Sequence, residues 1–308
     1  MSDKKPKVIV ICGPTASGKT ALSINLAKKI NGEIVSSDSM QIYKDMNIGT
    51  AKPDKEEMQN IEHYMMDFVS PGERYSVAKY KCEATSCIEK ILSKGKVPII
   101  VGGTGLYVNS LIYNITYNNI EVDEEYRNKL ETIIENNGLE ELYNKALKID
   151  PEAMKIISKN DKKRILRVLE MYKQTGKTKT ELEKESRLTP PKYDYKVFAI
   201  KIDREILYDR INKRVDIMIN EGLIKEVEDI LKKYKEFPTA MQGLGYKEVV
   251  EYLNNDLSKD EMIEKLKMET RRYAKRQITW FKKIENIKFL NIDKGIDNII
   301  EEIEKEMQ

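Results

Sequence analysis

Short, mostly apolar runs alternate with longer amphipathic segments along the first third of the chain. The apolar runs cover residues 7–12, 32–36, 63–69 and 97–101. Apolar residues recur at helical spacing over residues 77–92, behind Ser76, a residue type that favours helix N-caps. Residues 43–53 show neither pattern and predict a mobile loop. Apolar strands that alternate with helices predict an α/β fold, a parallel sheet flanked by helices on both faces.

The pattern changes after residue 118. Residues 123–178 show helical spacing without a strand, and Asn160 or Asp161 is suited to cap one of the helices. Residues 179–192 are polar and predict a loop.

Strands return in the last third of the chain. We predict a fifth strand at residues 196–202 and a last, edge strand at 288–292. The helical block therefore interrupts the α/β pattern. We predict a core of residues 1–118 and 193–308 with an all-helical insertion domain of residues 119–192.

A glycine-bounded turn follows the first predicted strand and precedes a predicted helix. Its residues are Gly13, Pro14, Thr15, Ala16, Ser17, Gly18, Lys19 and Thr20. They fit the phosphate-binding pattern G-x-x-x-x-G-K-[ST] at every fixed position, in the strand, turn and helix context that the pattern requires. Backbone N–H groups bind an anion, Lys19 adds positive charge for the outer phosphates, and the Thr20 hydroxyl is placed to hold Mg²⁺. The sequence predicts a site for a diphosphate- or triphosphate-like group.

Composition limits the classes to which this chain can belong. It has 308 residues, 40% hydrophobic and 34% charged, which is typical of a helix-rich globular protein. With a net charge of only +3, a nucleic-acid site would need local clusters of Lys and Arg. Three cysteines without disulfide or zinc spacing, no signal peptide and no run of about 18 apolar residues lead us to expect a cytoplasmic protein without membrane contact. We assign the one histidine, His63, to a structural role.

A phosphate loop with Mg²⁺ leaves three kinds of chemistry open. A nucleotide-hydrolysing switch is disfavoured, because the chain lacks an Asn-Lys-x-Asp motif and an apolar strand that ends in an Asp-Glu pair. A kinase is compatible, with Asp38 as base and Arg210 or Arg214, one helical turn apart, as phosphate clamp. In the third kind, the loop holds a pyrophosphate that leaves while another part of the molecule reacts.

Seven separated motifs favour the third kind of chemistry. They are the phosphate loop, Asp38-Ser-Met-Gln41, Gly49-Thr-Ala-Lys-Pro53, Gly102-Gly-Thr-Gly-Leu-Tyr107, Arg164-Ile-Leu-Arg167, Gly243-Leu-Gly-Tyr246 and Thr270-Arg-Arg-Tyr-Ala-Lys-Arg-Gln-Ile-Thr-Trp-Phe281. In this order, over nearly the whole chain, they closely resemble the bacterial tRNA dimethylallyltransferases (tRNA isopentenyltransferases), whose core is P-loop NTPase-like. The resemblance implies transfer of a dimethylallyl group from dimethylallyl diphosphate to N6 of the adenosine 3′ of the anticodon, position 37, in tRNAs that read codons beginning with U. The products would be N6-(dimethylallyl)adenosine and diphosphate.

The resemblance also implies catalytic roles. Residues 13–20 bind the diphosphate, Thr20 holds Mg²⁺, Arg214 stabilises the leaving charge, and Asp38 accepts or orients the proton of the adenosine amine. Taken by itself, Asp38 is also explained as a cap after a strand, and Arg214 as a solvated charge on a helix.

The tRNA-contacting residues that the resemblance implies lie in the core and in the insertion. They are Asp38, Ser39, Met40, Gln41, Thr104, Arg127, Lys163, Arg164, Ile165, Leu166, Arg167, Gln242, Gly243, Leu244, Gly245, Tyr246 and Lys247. Gln242 and Lys247 depart from an arginine that is commoner at these places in some relatives. Arg164 and Arg167 are three residues apart and share a helix face, which is the local basic cluster expected of an RNA contact.

A long helix predicted at residues 262–283 is dense in positive charge. Tyr273, Gln277 and Trp280 recur along it at helical spacing, and we assign this stripe to packing rather than to base stacking.

We expect a monomer that acts on a tRNA anticodon stem-loop and dimethylallyl diphosphate, with Mg²⁺ as cofactor. An adenylate isopentenyltransferase that uses free AMP is the nearest alternative, but a free nucleotide needs no basic helical platform. A small-molecule P-loop kinase and a nucleotide-dependent RNA-binding switch are the alternatives from other classes.

Overall fold

The computed structural model describes residues 5–117 and 123–307 and contains a parallel sheet. Its strands are β1 (Lys7–Cys12), β2 (Gly32–Ser36), β3 (His63–Tyr64), β4 (Val97–Gly102), β5 (Asp194–Lys201) and β6 (Lys288–Asn291). The strand order is β3-β2-β4-β1-β5-β6, and every neighbouring pair is parallel. Helices flank the sheet, so the predicted α/β, P-loop NTPase-like architecture is confirmed.

Helices follow most of the strands and fill the segment between β4 and β5. In the described ranges they are α1 (Lys19–Ile30), α2 (Lys55–Met58), α3 (Val77–Ser93), α4 (Gly105–Ile112), α5 (Glu124–Asn137), α6 (Leu139–Ile149), α7 (Pro151–Met154), α8 (Lys162–Thr175), α9 (Lys179–Glu185), α10 (Arg204–Asn220), α11 (Leu223–Lys233), α12 (Tyr246–Leu253), α13 (Lys259–Phe281) and α14 (Ile296–Met307). The Ser76 side chain caps α3 by accepting a hydrogen bond from the Lys79 N–H, as predicted, and Asp161 rather than Asn160 caps α8.

Two local predictions are wrong. The third strand stops after Tyr64, because Met65 and Asp67 have φ angles of 64° and 59°, which interrupt an extended backbone. Residues 179–192 are not all loop, because α9 begins behind a capping box in which Thr178 and Glu181 bind each other's backbone N–H groups.

The chain divides into two compact units. One contains the described residues up to Ile112 and from Lys192 onward, and the other is Tyr113–Pro191. Within its described residues the second unit is helical, formed by α5 to α9 around a core that includes Leu142 and Ile165. The sequence pattern predicts an all-helical insertion at residues 119–192, and the bounds of this unit are Tyr113 and Pro191.

Both faces of the sheet are covered. Ile9 and Ile11 of β1 pack in one cluster with Leu22 and Leu26 of α1 and with Ile303 of α14, and all five are fully buried. The alternate residues of β1 are buried as well, which explains why this strand is apolar throughout.

A second cluster joins α10 to α13 with the segment after β2. Ile42, Tyr43 and Met46 of this segment are buried against residues of the four helices, such as Val227 and Leu266. The prediction of a mobile loop at residues 43–53 is therefore wrong: the segment has little regular secondary structure, yet it is held by a packed core.

The direction of the chain connections changes at the centre of the sheet. The chain passes from β1 to β2 on one side and later from β4 to β5 on the other, so β1 lies between β4 and β5. In open parallel sheets, such a point forms a crevice at the carboxyl ends of the strands, where ligands bind. The loops that follow β1, β2 and β4 all leave the sheet at this edge.

Candidate active site

The phosphate loop connects β1 to the first turn of α1. Gly18 precedes α1 with a φ of 89°, a left-handed conformation that glycine adopts without a steric penalty, and Ala16 has a φ of 60°. The first N–H groups of α1 have no partner within the helix and carry the positive end of its dipole. The loop therefore has the backbone of an anion-binding site.

Lys19 is a cation of this site that is held by the loop backbone and has a lowered pKa. Its Nζ donates a hydrogen bond of 2.6 Å to the Pro14 carbonyl oxygen, so the side chain folds back over the loop. Burial lowers the pKa of Lys19 to about 8, with the negative charge of Asp38 opposing the shift and the positive charge of Arg214 adding to it. The three charged groups thus share one electrostatic environment.

A cavity of about 590 Å³ brings the predicted catalytic residues together. Thr20, Asp38 and Arg214 all line it, as does Lys19. The phosphate loop also contributes Thr15, and its residues Ala16, Ser17 and Gly18 line a smaller neighbouring cavity of about 310 Å³. Gly13 and Pro14, the first two residues of the loop, are buried. Lys19, Thr20 and Arg214 face both cavities.

The Asp38 carboxylate both caps a backbone turn and lines the cavity. Its Oδ1 accepts hydrogen bonds from the N–H groups of Met40, at 2.8 Å, and Gln41, at 3.3 Å. This is the capping turn that the sequence allows, and the same carboxylate lines the cavity. With Oδ1 engaged by the backbone, Oδ2 is the oxygen that can approach a substrate.

Thr104 fastens the loop that carries Asp38. Its N–H donates to the Ser37 carbonyl oxygen at 3.2 Å, and its Oγ1 accepts from the Ser39 N–H at 3.0 Å. Gln41 donates from Nε2 to the carbonyl oxygens of Thr50 and Ala51. The loops after β2 and β4 are therefore joined by direct hydrogen bonds on both sides of Asp38.

Most of the predicted acceptor residues in the core unit also line the cavity. They are Asp38, Ser39, Met40, Gln41, Gln242, Gly243, Leu244, Gly245 and Lys247. Thr104 and Tyr246 do not line the cavity. Tyr246 is fully buried, and its hydroxyl donates to Glu226 at 2.7 Å, so its side chain supports the turn, and its role toward RNA stays a prediction.

The predicted RNA contacts of the helical unit divide by exposure. Arg164 is well exposed, with a side-chain exposure of 64%, and Lys163 is exposed too. Ile165 and Leu166 are buried in the helical core, so their side chains are not accessible to RNA, and an RNA contact of this stretch stays a prediction. This follows from α8 itself, because four consecutive helical residues cannot share one face.

Two arginines of the helical unit are directed at a buried carboxylate. Arg127 contacts the Glu170 carboxylate at 2.7 Å, while Arg167 lies 3.8 Å from its other oxygen. Arg127 thus has a structural function that the sequence does not reveal, and its role toward RNA stays a prediction.

Several cavity residues lie outside the predicted set. Tyr273, Arg276 and Gln277 reach the cavity from α13, His63 reaches it from β3, and Met66 reaches it from the segment after β3. The helical stripe of Tyr273 and Gln277 was the available signal, but it equally fits packing. Burial lowers the pKa of His63, whose Nδ1 lies 2.8 Å from the Ile61 carbonyl oxygen.

Two observations bear on metals and membranes. Among residues 5–117 and 123–307, no group of three or more His, Cys, Asp and Glu side chains could hold a metal ion by itself. In the same part of the chain, no helix combines the length and apolar character needed to cross a bilayer.

The fold and the cavity define a class of protein. A phosphate loop at the switch point of a parallel sheet faces a carboxylate on the next loop, across a cavity that also contains an arginine. This is the arrangement of a P-loop enzyme that binds a phosphorylated substrate and acts on a second one beside it.

Comparison with known proteins places the chain within that class. Residues 41–284 match the IPP transferase family model, and residues 6–74 match the isopentenyl transferase model. The chain belongs to the IPP transferase family.

Relatives resemble this chain over most of their length. It is 54% identical over 287 residues to the tRNA dimethylallyltransferase of Acetivibrio thermocellus, covering 93% of this chain and 92% of that protein. It is 48% identical over 300 residues to the tRNA dimethylallyltransferase of Halothermothrix orenii, covering 97% and 92%.

Solved structures of similar proteins have the same fold. The full-length tRNA isopentenylpyrophosphate transferase of Bacillus halodurans superposes with a TM-score of 0.73 at 40% identity, covering 98% of this chain and 96% of that one. A eukaryotic dimethylallyltransferase acting on tRNA superposes with a TM-score of 0.76 at 36% identity, covering 93% of this chain and 74% of that one.

Proposed function

We propose that this protein transfers a dimethylallyl group from dimethylallyl diphosphate to N6 of the adenosine 3′ of the anticodon, position 37, in tRNA. The observation that carries the proposal is that the phosphate loop, Arg214 and Asp38 line the same cavity. The tRNA dimethylallyltransferases similar to this chain support the same reaction.

The phosphate loop binds the donor, dimethylallyl diphosphate. The diphosphate binds at the N-terminus of α1, and Lys19 turns from the Pro14 carbonyl oxygen toward it. Negative charge grows on the diphosphate as the allylic C–O bond breaks. Lys19 and Arg214 offset that charge, and they do so most strongly in the transition state.

The acceptor end belongs to Asp38. The exocyclic amine is a poor nucleophile, and its nitrogen bonds to the allylic carbon as diphosphate leaves. Oδ2 of Asp38 accepts the proton that the nitrogen releases, so charge balances without a further reagent. Because Oδ1 is held by two backbone N–H groups, the carboxylate is already oriented before the substrate arrives.

The target adenosine must leave the anticodon stack to reach this carboxylate. A cavity of about 590 Å³ is within the size range of small-molecule sites, which suits a flipped base together with a five-carbon chain. Flipping costs a few kcal/mol, and less in a loop than in a duplex.

Magnesium fits the phosphate end of the cavity. Mg²⁺ commonly takes one or two protein oxygens and completes its shell with substrate phosphates and water, so a hydroxyl beside a phosphate loop suits it. The Thr20 hydroxyl would be its protein ligand. When bound, the ion would stabilise negative charge on the departing diphosphate.

One assay distinguishes this function from its alternatives. The protein is incubated with Mg²⁺ and either dimethylallyl diphosphate or ATP. Acceptors are an unmodified anticodon stem-loop, the same stem-loop with guanosine at position 37, and AMP, and the products are weighed by mass spectrometry. We expect prenylation of the adenosine stem-loop alone. Prenylated AMP with unchanged RNA would indicate an adenylate isopentenyltransferase, and phosphorylated acceptor formed from ATP would indicate a kinase.

Arg164 tests the RNA-binding part of the proposal. Arg164→Ala should weaken stem-loop binding and reduce the slope of log K against log salt by about one, as expected for the loss of one phosphate contact. Lys148→Ala removes an exposed charge from α6 of the same unit and is the matched control. An unchanged slope for Arg164→Ala would remove this residue from the RNA contact.

A further inference from the structure

The side-chain amide of Gln277 joins two active-site loops. Gln277 lies on α13 and is 5% exposed. Its Oε1 accepts a hydrogen bond of 2.9 Å from the Thr15 N–H in the phosphate loop, and its Nε2 donates one of 2.9 Å to the Gly103 carbonyl oxygen after β4. The two partners have opposite polarity. Only a side chain with one acceptor and one donor, at the length of glutamine, satisfies both.

The backbone at Gly103 is shaped around this amide. A Cβ atom at position 103 would lie 2.1 Å from Nε2 of Gln277, so any other residue there would displace the side chain. The close approach shows that the amide occupies a dedicated position between the loops, and that the contact is more than general helix packing.

The link continues from Gly103 to the catalytic carboxylate. Thr104 follows Gly103 directly and binds the backbone of Ser37 and Ser39, the two neighbours of Asp38. On the other side, Thr15 lies in the loop that binds the diphosphate. A short chain of hydrogen bonds therefore runs from the donor loop through Gln277 and Thr104 to the loop that holds Asp38.

We propose that Gln277 is a positioning residue that sets the separation between the phosphate loop and the Asp38 loop. The inference rests on the proposed transfer reaction, in which the diphosphate is held by one loop and the attacking amine by the other. Reaction requires the amine nitrogen and the allylic carbon to meet in line, and a displacement of about 1 Å can cost about 100-fold in rate. Gln277 touches neither reacting atom and acts through the two loops.

Three variants separate this function from simple packing. Gln277→Met keeps the length of the side chain and loses both hydrogen bonds. Gln277→Glu keeps an acceptor for the Thr15 N–H but turns a negative oxygen toward the Gly103 carbonyl. Ile303→Ala in α14 removes buried volume from the sheet core, leaves the hydrogen bonds of Gln277 in place, and is the control for lost stability.

Steady-state prenylation of the stem-loop, substrate binding and urea unfolding are measured for each variant. We expect Gln277→Met and Gln277→Glu to lower kcat by about 10- to 100-fold, while the KM for dimethylallyl diphosphate and the Kd for the stem-loop change less than about 3-fold. Ile303→Ala should lose as much stability and keep its kcat. Unchanged kcat in Gln277→Met, an effect confined to KM, or an equal loss of kcat in Ile303→Ala would overturn the proposal.

A double-mutant cycle tests the path from Gln277 to Asp38. Thr104→Val removes the hydroxyl that accepts from the Ser39 N–H. If the two side chains act in one chain, the kcat of the double variant should fall little below that of the worse single variant. A multiplicative loss would contradict the path. A wild-type protein without any transfer would refute the proposed function, whereas an active wild type with an equally active Gln277→Met refutes only this inference.

Discussion

Lys19 is a cation whose charge depends on pH near neutrality. Its pKa of about 8 means that the side chain loses its proton as the pH rises through 8, whereas an exposed lysine stays charged to about 10. A bound diphosphate favours the charged form, so binding above pH 8 requires uptake of a proton.

This predicts that diphosphate affinity falls with rising pH. Titration calorimetry of inorganic pyrophosphate with Mg²⁺ should show weaker binding between pH 7.5 and 9.5, with proton uptake revealed by buffers of different ionisation enthalpy. In Lys19→Arg the guanidinium stays charged, so the decline should be absent. A flat profile in the wild type would mean that Lys19 is not the titrating group.

Asp38 can be tested without destroying its turn. Asn at position 38 keeps an Oδ1 for the N–H groups of Met40 and Gln41 but removes the negative charge and the proton acceptor. We expect Asp38→Asn to lower kcat by about 10²- to 10⁴-fold and to leave stem-loop affinity nearly unchanged. Ser39→Ala retains the carboxylate and is the comparison variant. Retained kcat with lost RNA affinity would assign Asp38 to binding alone.

For single residues, the sequence predicts chemical function better than it predicts the orientation of the side chain. The spacing of the phosphate motif identifies Lys19 and Thr20, because backbone geometry follows from the glycines. Tyr246 and Ile165 stand inside recognisable motifs, yet both side chains are buried. Gln277 is 262 residues from Thr15 and 174 from Gly103, so no local pattern could reveal its contacts.

Among the elements, α11 has a function beyond packing. Both oxygens of Glu226 accept hydrogen bonds from the segment after β2: Oε2 from the N–H groups of Asn47 and Ile48, and Oε1 from the Gly49 N–H. Oε1 also accepts from the Tyr246 hydroxyl of α12. The next residues of that segment line the cavity. One carboxylate thus holds part of the cavity wall.

Glu226→Gln should loosen this wall. An amide NH₂ in place of one oxygen faces N–H donors, so we expect a loss of about 1–3 kcal/mol of stability by urea unfolding. The KM for the stem-loop should rise together with that loss. Glu228→Gln, on the same helix with its partner Lys232 3.9 Å away, is the matched control and should change neither quantity. Equal effects in both variants would argue against a specific function of Glu226.

Helices and strands are predicted correctly where a hydrophobic pattern extends over many residues. They are predicted wrongly where the backbone conformation of single residues ends an element or where a helix is short and polar. The apolar strands and the helices around Ser76 and Asp161 follow directly from pattern and caps. β3 is short because Met65 and Asp67 adopt left-handed backbone conformations that no sequence pattern predicts. The helix α9 is missed by the sequence pattern because it is polar and buries only Leu182. Thr178 and Glu181, which form its capping box, are a signal that the sequence does contain.

At the scale of the whole molecule, a buried carboxylate ties several parts of the core unit together. Glu33 in β2 is 3% exposed and binds Lys94 at the end of α3, Lys96 before β4 and the Tyr64 hydroxyl of β3. Burial alone would raise the pKa of this carboxyl, but the hydrogen bonds from Lys96, Lys94 and Tyr64 outweigh it and lower the pKa to about 2.

This depressed pKa predicts a stability that depends on acid. Because the unfolded carboxyl titrates near 4.5 and the folded one near 2, the contribution is complete above about pH 4.5 and is lost as the pH falls toward 2. Glu33→Gln should cost about 3 kcal/mol at pH 7 by urea unfolding, and the difference from wild type should shrink at pH 3.

An exposed pair supplies the comparison for Glu33. Glu304→Gln breaks the surface contact with Lys29 and should cost less than about 0.5 kcal/mol at either pH. A Glu33→Gln difference that stays constant between pH 7 and pH 3 would show that packing, and not charge, is what the substitution removes.

The position of the helical insertion also has a consequence for synthesis. β5 pairs with β1 along six residues, but it follows the whole insertion in the chain. A nascent chain that has emerged only as far as residue 191 leaves β1, buried over Val8–Cys12 in the finished protein, at the open edge of a four-stranded sheet. Such an edge invites pairing with other chains. We therefore expect incomplete translation products to be prone to aggregation until β5 pairs with β1.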